Sequence, residues 1–376
     1  MFFREIIGQE AFKRQLIQSA QSGTIPHARL FSGKAGVGAF PLALAYARYL
    51  NCTGRSETDA CGQCPSCLKY NGLTHPDLHF IFPMVQSKEQ KKLVCDDYLS
   101  EWRTFLAAHT YFDLSMWLSH IDLLNKQAMI YAKESDEIMH KVSLRIYEAD
   151  YRVLLIWMPE RMHSVCANKL LKIIEEPPDH TLIFMVSEEP EQILGTILSR
   201  AQRMNVTPID AEALERIAEA SPFERSSAEA RQLARLSHGD YIRLIENIQA
   251  DEENAFFLEQ FIRVMRNSWA KNVREMKAFA EDMAGIGRER QKQFLTYCQH
   301  YIREHFMYRF GEKELNYMNQ AEGAFSAKFA PYVHERNVYD FMEELSEAEQ
   351  HIARNGNAKM IFFDLALRIT VLLKRT

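Results

Sequence analysis

Arg29-Leu30-Phe31-Ser32-Gly33-Lys34-Ala35-Gly36-Val37-Gly38-Ala39-Phe40 reads as a short apolar strand running into a glycine loop. Pro41 to Leu50 then follows with Ala, Leu and Tyr at helical spacing. Strand, glycine turn and helix in that order frame a phosphate-binding loop, G-x-x-x-x-G-K-[ST]. There the backbone N–H groups cradle the phosphates, the Lys neutralises the β/γ charge and the Ser/Thr holds Mg²⁺. Gly33, Gly36 and Gly38 stand where such a loop needs them, but the Lys position holds Ala39 and the Ser/Thr position holds Phe40. Alanine has no charge to set on a phosphate, and phenylalanine has no oxygen for a metal. On the loop alone, a plain glycine-rich turn and a phosphate loop without its chemistry both stand.

Outward from the loop, His79-Phe80-Ile81-Phe82, Arg152 to Trp157 and Thr181 to Val186 are further strand candidates, with Ser164 to Glu176 helical between the last two. Apolar runs this short suit strands buried on both faces, and strand–helix alternation points to a parallel sheet. An NTPase places an acid at the end of the strand corresponding to Arg152–Trp157 to organise Mg²⁺. Here that end reads Trp157-Met158-Pro159-Glu160, and Glu160, beyond the strand and after a proline, reads as a turn or cap residue. From Ala211 onward the strands stop and the pattern is helical. The expected layout is an α/β domain over 1–206, a small helical domain over 207–249 and a larger helical domain over 250–376. About 85–126 fits poorly. It opens on Lys88-Glu89-Gln90-Lys91-Lys92, continues through Trp102, Phe105, Tyr111, Phe112 and Trp117, and reads as a mostly helical insertion.

Cys52, Cys61, Cys64 and Cys67 form C-x8-C-x2-C-x2-C. Overlapping C-x2-C steps with a fourth cysteine nearby make a tetrahedral thiolate site for zinc, closed to substrate and therefore structural. A redox pair or an iron–sulfur cluster are the alternatives; spacing alone does not separate iron–sulfur from zinc. Cys95, Cys166 and Cys298 are scattered and read as ordinary residues.

The bulk numbers set limits. A chain of 376 residues is long enough for two or three domains, and 47% hydrophobic with 25% charged is ordinary for a folded globular protein. A formal net charge of -5 argues against a generally basic nucleic-acid binder. Apolar runs long enough to span a membrane are absent from the sequence, and Met1-Phe2-Phe3-Arg4-Glu5 does not read as a secretion signal, so the expected location is cytoplasmic.

Together these pieces resemble the N-terminal module of bacterial clamp-loader subunits. The resemblance is carried by Gly8-Gln9, Pro26-His27-Ala28, the glycine loop, the four cysteines and His75-Pro76-Asp77. It continues in Ala167-Asn168-Lys169-Leu170-Leu171-Lys172-Ile173-Ile174-Glu175-Glu176-Pro177-Pro178, similar to the family's A-N-A-L-L-K-x-L-E-E-P-P, and in Thr196-Ile197-Leu198-Ser199-Arg200-Ala201-Gln202, similar to T-I-x-S-R-C-Q. These segments run from about 4 to 206. Beyond them the likeness is one of layout. Ala39, Phe40 and Trp157 make the chain similar to the delta-prime branch, which lacks the intact loop and acidic pair of the gamma/tau branch. Two departures stand: Ala201 replaces the family cysteine, and 85–126 is longer than the usual connection.

The resemblance implies an AAA+ α/β P-loop domain with a zinc-binding insert at 52–67, an all-α lid and an all-α collar. It implies a subunit with no ATP turnover and no productive ATP/Mg binding, working with delta and gamma/tau subunits in a hetero-pentamer that places the sliding clamp on primed DNA. It also implies that Arg200, with Ser199 beside it, serves as an arginine finger for a neighbour's ATP site, where a planar, permanently charged fork suits phosphate oxygens. Without that context Arg200 is a surface arginine. Two rivals remain: an active gamma/tau-type clamp-loader ATPase, and a stand-alone zinc-containing nucleic-acid-binding protein. The latter needs a basic patch near Cys61–Cys67, where only Arg55 and Lys69 lie close.

Overall fold

The computed structural model describes residues 1–86, 93–124, 126–308, 325 and 329–374; the charged stretch Lys88–Lys92 lies outside them. They form two compact units, Met1–Ile248 and Gln249–Thr376.

The first unit is built on a five-stranded sheet of β1 (Ala28–Ser32), β2 (Leu78–Ile81), β3 (Arg152–Trp157), β4 (Thr181–Ser187) and β5 (Gln202–Asn205), in the order β2-β3-β4-β1-β5. All four pairings are parallel. Every residue of β1, β3 and β4 is buried, as their mainly apolar runs suit a sheet covered on both faces, with polar residues at the strand ends. β5 is the exception. Gln202, Arg203 and Asn205 are exposed and only Met204 turns inward, so this edge strand carries no apolar run and sequence patterning passes over it.

The helix Ala39–Leu50 follows β1 and all twelve of its residues are buried. It runs from the glycine loop at one end to Cys52 just past the other. The insertion is helical at Leu99–Ala108 and Leu114–His120, as its aromatic spacing suggests. Helices Ala211–Glu219 and Ser227–Leu236 share a separate small core, with Leu214, Ala218, Leu233, Leu244 and Ile248 buried and Tyr111 of the insertion among them.

The second unit is helical throughout its described residues. Val273–Gly285, Arg288–Tyr308, Val338–Ala353 and Ala358–Leu372 close on a core containing Phe261, Phe279, Phe294, Phe341 and Phe362. Among the described residues no helix is long and apolar enough to cross a membrane.

Candidate functional site

The glycine loop lies at the carboxyl end of β1, at the crevice where open α/β sheets bind ligands. Gly33 N–H donates to the Ser187 carbonyl at the end of β4 (3.0 Å), which fastens the loop to the sheet. Gly38 holds φ at 95° as the chain turns into the buried helix, a conformation that favours glycine. Gly36 makes room for a close approach: a Cβ there would overlap the Asp240 carboxylate, which would have to move. Asp240 in turn accepts from the N–H groups of Ile242 (2.9 Å) and Arg243 (3.2 Å), opening the helix Tyr241–Ala270. Lys34 is exposed.

The two positions that handle metal in an NTPase face each other as aromatic rings. Phe40 and Trp157 lie 6.4 Å apart, and Trp102 and Phe112 of the insertion close around them. Phe40 meets Phe112 at 5.0 Å and Trp102 at 6.0 Å; Trp157 meets Phe112 at 5.1 Å and Trp102 at 5.3 Å. Phe82, Phe105 and Trp117 continue the cluster, and none of these seven side chains is more than 5% exposed. A hydrated dication needs oxygen ligands, and this volume supplies none from these rings. The packing of the insertion against Phe40 left no sequence signal beyond its aromatic content.

Glu160 is a capping residue, but not a solvated one: its Oε2 is buried without a hydrogen-bond partner among the described residues. It sits in a short 3-10 turn, Pro159–Arg161, and its Oε1 accepts from the N–H of Glu188 (3.1 Å) and of Glu189 (3.4 Å). Glu160, Glu188 and Glu189 all line a cavity of about 480 Å³ at the ends of β3 and β4, with Asp113 and Arg161. Burial, then the charges of Glu160 and Asp113, push the Glu188 carboxyl up to about 7. His75-Pro76-Asp77 also resolves into structure: the buried Asp77 carboxylate accepts from the N–H groups of Tyr147 (2.8 Å), Glu148 (3.0 Å) and Ala149 (3.0 Å) and so pins the approach to β3.

Arg200 follows the short helix Gly195–Leu198 and stands at the surface, its side chain 41% exposed. It donates to the Thr196 carbonyl (3.0 Å) and towards Ser199 Oγ (3.4 Å), and pairs with Glu175 at 2.8 Å. Ser199 Oγ donates to the same Thr196 carbonyl at 3.0 Å. Glu175 ends the helix Ser164–Glu175, so the A-N-x-L-L-K-like run delivers the carboxylate that steadies the guanidinium. Arg203 lies on the exposed edge strand.

The four cysteines converge, with their sulfurs all within 4.8 Å of one another. Cys64 and Cys52 sulfurs are 3.9 Å apart, against about 3.8 Å for two thiolates on tetrahedral zinc. N–H groups point at the sulfurs: Cys61 to Cys52 (3.2 Å), Cys64 to Cys61 (3.3 Å) and Cys67 to Cys64 (3.4 Å). Such outer hydrogen bonds stabilise thiolates, and the donor set fits a closed tetrahedral metal. Burial pushes the Cys52 thiol up to about 12, a cost that a bound cation would offset. Cys95, Cys166 and Cys298 are buried singly, away from this group.

A parallel sheet ordered β2-β3-β4-β1-β5, a glycine loop entering a buried helix, small helices after the sheet and a cysteine knuckle define an AAA+-class P-loop module. Residues 8–210, more than half of the chain, match the family model for DNA polymerase III, delta subunit, and the chain belongs to that family, in its delta-prime branch. The delta' subunit of DNA polymerase III from Bacillus subtilis is 27% identical over 268 residues, covering 67% of this chain and 68% of its own. The delta' subunit from Pseudomonas aeruginosa is 29% identical over 232 residues, covering 61% and 57%. The gamma/tau subunit from Mycobacterium tuberculosis is 27% identical over 200 residues, 53% of this chain but only 27% of its own length. A solved gamma-subunit-related protein from Thermotoga maritima aligns over 97% of this chain and 99% of its own at 13% identity, with a TM-score of 0.38.

Proposed function

We propose that this chain is the non-hydrolysing delta-prime subunit of a DNA polymerase III clamp loader and that it supplies Arg200 as an arginine finger, in trans, to a neighbouring ATPase subunit. The observation that carries the reading is the pairing of Phe40 with Trp157 where a hydrolysing module keeps a metal-binding hydroxyl and an acid. The exposed guanidinium of Arg200, held by the Glu175 carboxylate, the Thr196 carbonyl and Ser199 Oγ, can exchange those partners for phosphate oxygens without leaving a buried charge. Ser199 sets its base.

In this reading 1–206 is the AAA+ domain, 207–249 the lid and 250–376 the oligomerising collar. Zinc on Cys52, Cys61, Cys64 and Cys67 is structural, and no ATP or Mg²⁺ is bound productively at Gly33–Phe40. The partners are delta and gamma/tau subunits in a hetero-pentamer, acting in the cytoplasm on the sliding clamp and primed DNA.

Reconstitution with delta and gamma/tau, comparing wild type with Arg200→Ala, tests this. Assembly should persist while clamp-stimulated ATP hydrolysis weakens. Unchanged hydrolysis removes the finger, and steady ATP turnover by the isolated chain removes the non-hydrolysing assignment.

A further inference from the structure

The insertion has no part in the proposed function, yet its aromatic side chains close on the glycine loop from two sides. Trp102 and Phe112 enclose Phe40 and Trp157 on the metal-handling side. Tyr111 turns the other way. Its hydroxyl accepts from Ile7 N–H at 2.8 Å, and its ring edge lies where a Cβ on Gly38 would meet it at 3.2 Å. The same ring packs on Tyr241 at 4.7 Å, next to the Asp240 carboxylate that sits against Gly36. One short segment, residues 102–112, thus touches the loop, the end of β3, the N-terminal stretch and the helices after the sheet.

We propose that this insertion is a built-in occupant of the nucleotide pocket: it excludes ATP sterically and fastens the helices of 207–248 to the α/β domain without any nucleotide. The inference rests on reading Gly33–Phe40 as a phosphate loop without its chemistry, and goes further. Loss of the Lys and Ser/Thr removes affinity for a triphosphate, whereas a filled pocket also blocks one whose affinity is restored. An occupant tethered in the same chain is always present at high effective concentration, so a free nucleotide competes poorly. Expelling it would bare Trp102, Phe105, Phe112 and Trp117, all 3% exposed or less.

The test uses the full chain as wild type, Ala39→Lys, Ala39→Lys/Phe40→Thr and Tyr111→Ala, each checked for folding by circular dichroism. Calorimetric titration with millimolar Mg-ATP should give no binding for the wild type or either loop variant. If a loop variant binds while wild type does not, the missing side chains alone explain the silence and the occupant proposal falls. If wild type binds, the reading beneath it falls too. Amide exchange of the wild type should be unchanged by Mg-ATP over 33–40 and 99–117; new protection there overturns the proposal without any mutation. Tyr111→Ala should speed exchange across 211–248 by about tenfold or more while β3 and β4 stay protected, and unchanged exchange over 211–248 refutes the fastening role.

Discussion

The helix Ala39–Leu50 has a ligand-type motif at each end, and the two ends have had opposite fates. At its start the glycine loop carries Ala39 and Phe40, and Phe40 is packed among Trp102, Phe112 and Trp157. Just past its end, Cys52 joins Cys61, Cys64 and Cys67 with all sulfurs within 4.8 Å. One end gathers a complete set of donors, and the other is filled by apolar side chains, because an empty pocket beside a sheet forfeits packing.

The contrast can be broken at either end. The largest effect should come from the knuckle. Structural zinc in small peptides contributes about 10–16 kcal/mol of apparent binding free energy. Strong chelation should therefore open residues 52–67, exposing the four thiols to a thiol reagent while the sheet's circular dichroism persists; full protection after metal removal would show that the loop holds itself. At the other end, Trp102→Ala removes a fully buried side chain from the filled pocket and should cost about 3–5 kcal/mol in denaturant unfolding. A loss below about 1 kcal/mol would mean the cluster is loose and the pocket accessible.

Glu188 sharpens the comparison, since it is a half-buried acid on the same cavity as Glu160, just beyond β4. Its carboxyl is raised to about 7 in the folded chain against an ordinary 4.5, so folding takes up a proton between those values. Stability should then fall as pH rises from about 4.5 to about 7, and Glu188→Gln should flatten that slope by roughly 1–3 kcal/mol. Equal slopes in variant and wild type would place Glu188 in open solvent. The smallest effect belongs to Glu175→Gln. Its pair with Arg200 is exposed on both sides, so chain stability should change by less than about 1 kcal/mol, read from the same unfolding curves. A larger loss would make the pair a structural support and Arg200 unfree to leave it.

Much of this was legible in the residues. Four of the five strands announced themselves as apolar runs, Arg29–Ser32, His79–Phe82, Arg152–Trp157 and Thr181–Val186, because they are almost wholly buried. The cysteines were legible by type and spacing. β5 was not, since three of its four residues face outward and its place comes from pairing with β1. Nor was the role of Trp102, Tyr111 and Phe112: aromatic content shows that a segment will bury itself, but the surface that receives it lies dozens of residues away, at Gly38, Phe40 and Tyr241. The pair Arg200–Glu175 likewise joins two motifs that the chain keeps apart.

The proposed function joins an exposed guanidinium, Arg200, to a chain whose own glycine loop would take no nucleotide. The most direct measurement is single-turnover ATP hydrolysis in the reconstituted complex at saturating ATP, with wild type, Arg200→Lys and Arg200→Ala. The account predicts that both variants slow the chemical step at the adjoining site by about 10³-fold or more while nucleotide affinity stays within a few fold, lysine failing because it lacks the planar fork. An unchanged single-turnover rate in Arg200→Ala would contradict it.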